Sequence, residues 1–277
     1  MNIYDQLLKL QVIEGAWEKW ADYRSGVTEY IVVHCENKKE IALFGAGRCN
    51  DVDLKTLLAH FEKVILVDMD LEAMKAGIKY QGLQNESRII LEVADFVGIS
   101  SDDYRQFADI LVSKVREKGL ATSLSELSQV ALDALERLEA KIISVPLQFK
   151  LYANTVVIGI HSQLISMLDW IWQSILQTLG QEENSVRQRI MMMNTDVVKR
   201  FNQALLIGTQ CRLIIGYEIE RVGRHGAVQG AVQGVIDFKQ RVARQEVDLL
   251  GFTQMEWPFA KQQGIIYHMG IFTLERI

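Results

Sequence analysis

Residues 41–70 read IALFGAGRCNDVDLKTLLAHFEKVILVDMD, and this stretch decides the fold. Ile41–Phe44 is a short apolar run of the kind a buried parallel strand uses. It ends at Gly45-Ala46-Gly47, where the missing side chains let a ligand approach bare backbone. Leu54, Leu57, Leu58 and Phe61 then recur at helical spacing, and a second apolar run, Val64–Val67, ends at Asp68. Strand, glycine turn, helix, strand and acid form a βαβ nucleotide-binding unit, in which the acid accepts hydrogen bonds from ribose hydroxyls.

The turn also narrows the kind of ligand. A dinucleotide fingerprint carries a third glycine so that a helix N-terminus can meet a pyrophosphate. Here that position is Asn50, followed by Asp51 and Asp53. Carboxylates at the start of a helix occupy its partial positive charge and repel phosphate. A cofactor with an adenosine half and a positive centre suits this loop better. Asp53 also reads as the N-cap of the helix, and Asp70 as the cap of the next one.

Three spaced segments resemble those of the class I S-adenosylmethionine-dependent methyltransferases. They are FGAGRCNDVDL at 44–54, VILVDMD at 64–70 and IILEVADFVGI at 89–99. The segment NTVVIGIHSQLI at 154–165 is similar to the family's fourth strand, and MEWPFAKQQGIIYHMGIFTLERI at 255–277 to its terminal antiparallel hairpin. The resemblance covers roughly residues 40–277. It implies an α/β fold: a Rossmann-like, mostly parallel seven-stranded sheet with helices on both faces. It implies S-adenosylmethionine as cofactor, held by Gly45, Ala46, Gly47 and Asp68, with Met69, Asp95 and Phe96 on the adenine side. It departs from the family at Leu43, where an acid two residues before the first glycine usually helps to organise the methionine amino end. Asp51 or Asp53 are the nearby acids that could stand in.

Outside these segments the chain reads as added helices. Residues 1–40 form an expected N-terminal helical cap, with a break near Ser25-Gly26 and with Tyr23 and Arg24 able to reach a cofactor carboxylate. Residues 41–277 form the expected methyltransferase domain. A helical insertion at about 100–142, between strands 3 and 4, is a lid, a substrate wall or the surface of a homodimer. Residues 164–182 and 184–208 are two further helices, the second carrying Met191-Met192-Met193 as adaptable core or substrate pocket.

Catalytic candidates follow from strand ends, because ligands of open α/β sheets bind outside the carboxyl ends. His161, Ser162 and Gln163 leave the fourth strand there, and a histidine can act as a base near neutral pH. Glu218, after the fifth strand, and His225 are second candidates. The tandem AVQG of Ala227–Gly234 reads as a glycine-rich loop able to gate the site. Trp257 and Phe259 read as core against a helix.

Composition limits the function further. Of 277 residues, 49% are apolar, enough for a sizeable core, and the formal charge of −5 is unlike that of a constitutive nucleic-acid binder. The three cysteines, Cys35, Cys49 and Cys211, are too few and scattered for a disulfide framework or zinc site, so no metal is expected. The N-terminal stretch is amphipathic without a cleavage signal, and no apolar run reaches bilayer length, so a cytoplasmic protein with no membrane partner is expected. The acceptor is expected to be a small molecule, with protein and RNA open. An NAD-dependent oxidoreductase and a non-catalytic cofactor-binding protein of the same fold are the rival readings.

Overall fold

The computed structural model describes residues 2–10, 12–119, 123–223, 228 and 230–277, apart from the side chain of Lys118. Its contacts divide the chain into two compact units. The larger comprises Ile13–Phe96, Gln148–Ser162 and Lys199–Ile277 and holds the whole β-sheet. The smaller comprises Met1–Val12, Val97–Leu147 and Gln163–Val198 and is helical.

The sheet is built from β1 (Glu40–Phe44), β2 (Lys63–Asp68), β3 (Ile89–Val93), β4 (Tyr152–Ile158), β5 (Thr209–Arg221), β6 (Val247–Ala260) and β7 (Ile265–Arg276). Its order is β3-β2-β1-β4-β5-β7-β6. β1 to β5 are mutually parallel, and β7 runs antiparallel between β5 and β6. This is the mostly parallel seven-stranded sheet with a terminal hairpin that the sequence implied. The hairpin strands are longer than the short strands expected, at 14 and 12 residues.

Alternation along the strands sorts the two faces. Ile41 and Leu43 of β1, Val64 and Leu66 of β2, and Val156 and Ile158 of β4 share one apolar core. That core includes Leu54, Leu57 and Leu58 of α4 (Leu54–His60), Met74 and Ile78 of α5 (Leu71–Tyr80), and Val27 and Ile31 of α3 (Ala21–His34). Phe44 points the other way. It meets Phe149 at 4.7 Å and Phe96 at 5.7 Å between ring centroids. Phe96 in turn meets Phe201 at 5.4 Å.

Helix α3 runs unbroken through Ser25-Gly26, where a break was expected. Its buried residues Tyr23, Val27, Tyr30 and Ile31 recur at helical spacing and seal it to the sheet core. Residues 13–40 therefore belong to the sheet unit rather than to a separate cap ending at residue 40.

The helical unit contains α1 (Ile3–Leu10), α6 (Ser101–Lys118), α7 (Leu124–Ser144), α8 (Ser166–Leu179) and the first half of α9 (Ser185–Ile207). It is larger than the insertion at about 100–142, because α8 and α9 join it. Ser100 opens α6 with a reciprocal capping box to Asp103. Tyr4 of α1 stacks on Tyr104 with centroids 5.6 Å apart. The methionine cluster divides: Met193 is buried, whereas Met192 is exposed. The short helix α2 (Ala16–Lys19) precedes α3, and α10 (Ala231–Ala243) lies between β5 and β6. No helix among the described residues is long and apolar enough to cross a membrane.

Helix α10 corrects the loop expected at the AVQG repeat. The second copy is the first turn of a helix, and its Gly234 is required by contact: a Cβ there would lie 2.3 Å from the Tyr217 ring. His225 and most of the first copy, residues 224–227 and Gln229, lie outside the described residues.

Candidate functional site

The parallel strands bring their carboxyl ends to one edge of the sheet unit. β1 runs into Gly45 there, β2 ends at Asp68, β3 leads to Asp95 and β4 to Gly159. β5 runs on past Ile158 of β4, which pairs with Gly216, and so carries Glu218 beyond the edge.

The glycine turn is held from below and bare above. Gly45 has φ 68° and donates its N–H to Val67 O at 2.8 Å. A Cβ on Gly45 would lie 2.0 Å from Ile160 Cδ1, so only glycine fits. The turn is tied to the acid at the end of the adjacent strand: Gly47 N–H donates to Asp68 Oδ2 at 2.8 Å. Asp68 Oδ1 accepts from Asp70 N–H at 2.9 Å. A carboxylate offers about four acceptor positions, more than the backbone N–H groups of Gly47, Met69 and Asp70 fill, so it can still accept from a ligand. Burial raises the Asp68 carboxyl above its ordinary value, opposed by hydrogen bonds from the Asp70, Gly47 and Met69 N–H groups. Asp68 is thus both the hinge pin of the turn and a free acceptor. Met69 follows it, 49% exposed. Asp95 is exposed and Phe96 half-buried on the neighbouring strand end.

The segment after the turn is fixed by Gln81, which the sequence did not flag, and by Arg24, which it offered instead for a cofactor carboxylate. Gln81, buried at the end of α5, accepts from Leu54 N–H at 2.9 Å and donates to Cys49 O at 3.1 Å and Val52 O at 3.2 Å. Arg24 stacks on Trp17 at 3.5 Å and donates to Trp17 O at 2.6 Å and Asn50 O at 3.4 Å. In this state Arg24 braces the loop. Asp53 caps α4 by accepting from Thr56 N–H at 2.9 Å, and Asp70 caps α5 through Ala73 N–H at 2.9 Å. Both caps are as the sequence indicated. Cys49 is buried with its thiol pushed up by desolvation, which makes it small core rather than a reactive group.

The other candidates fall into two separate groups. His161 is fully buried, and its Nε2 lies 2.7 Å from Asn202 Oδ1. Asn202 gives its Nδ2–H to Asp237 at 2.9 Å, which leaves its oxygen to accept, so Nε2 carries the histidine proton. Asp237 is paired with Arg241 at 2.8 Å. Burial pushes the imidazole down to about 4, so it is neutral near pH 7. Its Nδ1 has no hydrogen-bond partner among the described residues.

Glu218 forms the second group. It is 3% exposed, and its Oε1 accepts from Ser162 Oγ–H at 2.7 Å. Burial raises its carboxyl above the ordinary value. Asp51, whose Oδ1 is shut off from solvent, is pushed up to about 7 by burial and then by the Glu218 charge, against the pull of Arg24. The Glu218 charge therefore acts on Asp51 from a different element. Sequence spacing alone could not join residues so far apart.

No family model matches the chain, and no curated protein sequence does. Solved structures that it is similar to include magnesium protoporphyrin IX methyltransferase from Synechocystis with bound S-adenosylhomocysteine. That match has 10% identity and a TM-score of 0.49, covering 94% of this chain and 84% of the other. An N-methyltransferase from Bradyrhizobium japonicum, in complex with S-adenosylhomocysteine, has 10% identity and a TM-score of 0.47, covering 100% and 99%. An S-adenosylmethionine-dependent methyltransferase from Clostridium acetobutylicum has 10% identity and a TM-score of 0.45, covering 99% and 96%.

Proposed function

We propose that the protein is an S-adenosylmethionine-dependent methyltransferase acting on a small-molecule acceptor. The observation that carries this reading is the bond from Gly47 N–H to Asp68 Oδ2 at 2.8 Å. It joins a bare glycine turn to a strand-end acid that keeps acceptor capacity, the arrangement an adenosine ribose requires.

The residues present fit that cofactor. Asp68 would hold the ribose hydroxyls, and the exposed Met69, with Asp95 and Phe96 on the next strand end, would flank the base. Asp53 already caps α4, a helix of 7 residues, so its N-terminus offers little to a pyrophosphate. This disfavours NAD. When bound, S-adenosylmethionine supplies a methyl carbon on a sulfonium that is already a good leaving group. The chain's remaining task is to position the acceptor, exclude water and take up a proton where one is released.

Glu218, oriented by Ser162 and raised by burial, suits the proton-accepting role better than His161. His161 is neutral and spends its Nε2–H on Asn202. A non-catalytic cofactor-binding protein remains the second reading, because Leu43 fills the family's acidic position with a buried apolar side chain.

The test is transfer of tritium from methyl-labelled S-adenosylmethionine in a cell extract fractionated by size. Label in the low-mass fraction is expected. Label only in protein or RNA would overturn the small-molecule acceptor, and no transfer despite cofactor binding would favour the non-catalytic reading.

A further inference from the structure

Among the polar atoms of the sheet unit that are buried with no hydrogen-bond partner among the described residues are four that gather at one place: Tyr23 Oη, Asp51 Oδ1, Glu218 Oε2 and Trp257 Nε1. They come from α3, the loop after the glycine turn, β5 and β6. Several measures bring them together. The Tyr23 and Trp257 rings stack with centroids 5.6 Å apart. At the end of β4, a Cβ on Gly159 would lie 3.2 Å from the Trp257 ring and 3.6 Å from Glu218 Oε1. Asp51 and Glu218 each disfavour ionisation of the Tyr23 phenol.

Such a group is costly. Each buried polar atom without a partner forfeits about 1–3 kcal/mol, more when charged. The carboxylates are not satisfied by the nearby phenol and indole. Arg24 lies within electrostatic reach of Asp51, but its guanidinium donates to the Trp17 and Asn50 carbonyls. Two acids thus lie in an aromatic setting with no cation bonded to either among the described residues, since Trp20 and Phe259 also pack on Trp257 at 5.1 Å and 4.9 Å. Aromatic faces and carboxylates together recognise a cation that also donates hydrogen bonds.

We propose that Asp51, Glu218 and Tyr23, backed by Trp257, form a receptor for a protonated aliphatic amine. An ammonium donates three hydrogen bonds and favours the ionised form of both acids, so one group supplies the donors and the charge they lack. Two sources share this chemistry. One is the amino-acid ammonium of the cofactor, which at Leu43 lacks the acid the family usually offers. The other is an amine on the acceptor. The choice between them rests on the methyltransferase reading, whereas the receptor itself does not.

Calorimetry separates the cases with three probes. S-Adenosylhomocysteine carries the ammonium, 5′-methylthioadenosine lacks the amino-acid end, and n-butylammonium chloride is the amine alone, blanked against sodium chloride. If the cofactor is the source, Glu218→Gln and Asp51→Asn lower the affinity ratio of the first probe over the second by about tenfold or more. The second probe's own dissociation constant then stays within about twofold. If the acceptor is the source, that ratio is unchanged, and butylammonium binds the S-adenosylhomocysteine complex of the wild type but not of the variants. An unchanged ratio with no butylammonium binding overturns the receptor. If neither nucleoside binds, the methyltransferase reading fails, and the receptor stands or falls on butylammonium binding to the free protein. Tyr23→Phe, which removes one hydroxyl, gives a smaller loss in the same direction and guards against misfolding of the acidic variants.

Discussion

Replacing Asp51 by asparagine separates the cost of a buried acid from the rest of the fold. In the unfolded chain this carboxyl ionises near its ordinary value of 3.8, and in the folded protein at about 7. Between those values the folded state holds a proton that the unfolded state has lost, so stability falls as pH rises through the window. At 1.36 kcal/mol per pH unit, the folded protein has lost about 4 kcal/mol by pH 8 and a little under half of that by pH 5. Wild type should therefore lose about 2.5 kcal/mol between about pH 5 and pH 8 that Asp51→Asn does not lose. The new amide has its own burial cost, but that cost is the same at both pH values and cancels in the comparison. His161 works in the opposite direction. Its folded value of about 4 lies below its ordinary 6.5, so its contribution rises as pH rises between them. It is present in both proteins and also cancels. The assay is urea unfolding of the ligand-free proteins, with hydrogen exchange at β1 and β2 amides so that the sheet unit is read by itself. Equal pH dependence in the two proteins, within about 0.5 kcal/mol, would refute the burial argument.

Other substitutions probe the turn and its supports. Gly45→Ala should destabilise far more than Gly82→Ala. Both have φ near 70°, but the first meets Ile160 at 2.0 Å and the second meets nothing within 4 Å. Gly82→Ala should cost about 1–2 kcal/mol and Gly45→Ala at least about 2 more in thermal unfolding, and equal losses would contradict the close approach. Gln81→Met strands Leu54 N–H and the Cys49 and Val52 carbonyls. It should cost roughly 3 kcal/mol and weaken S-adenosylhomocysteine binding, and a neutral result would show that the loop holds itself. Asp68→Ala removes the acceptor of Gly47 and Asp70 N–H. It should lower cofactor affinity by about tenfold or more while the helical unit stays folded, as read by circular dichroism and calorimetry together.

The sheet was legible in the sequence where local signals were complete. The runs ending at Phe44 and Val67 are bounded by glycine or acid, and both become buried parallel strands. The caps Asp53 and Asp70 were legible for the same reason, since a cap bonds only three residues ahead. Relations over long separations were not legible. Glu218 acts on Asp51 from β5, which runs on past β4, and Gln81 reaches back to the loop at 49–54 through folding alone. Nothing in the pattern of α8 and α9 indicated that they join the helices at 97–147. The AVQG repeat misled in a specific way. Its glycines look like loop formers, but Gly234 serves close helix packing on Tyr217. The same holds for Gly26, inside an unbroken α3.

The most direct measurement is a parallel calorimetric titration of the protein with S-adenosylmethionine, S-adenosylhomocysteine and NAD. The account predicts micromolar binding of the first two, lost in Asp68→Ala, and none of the third. Binding of NAD alone, or S-adenosylhomocysteine affinity unaltered by Asp68→Ala, would contradict the site at Gly45–Gly47 and Asp68.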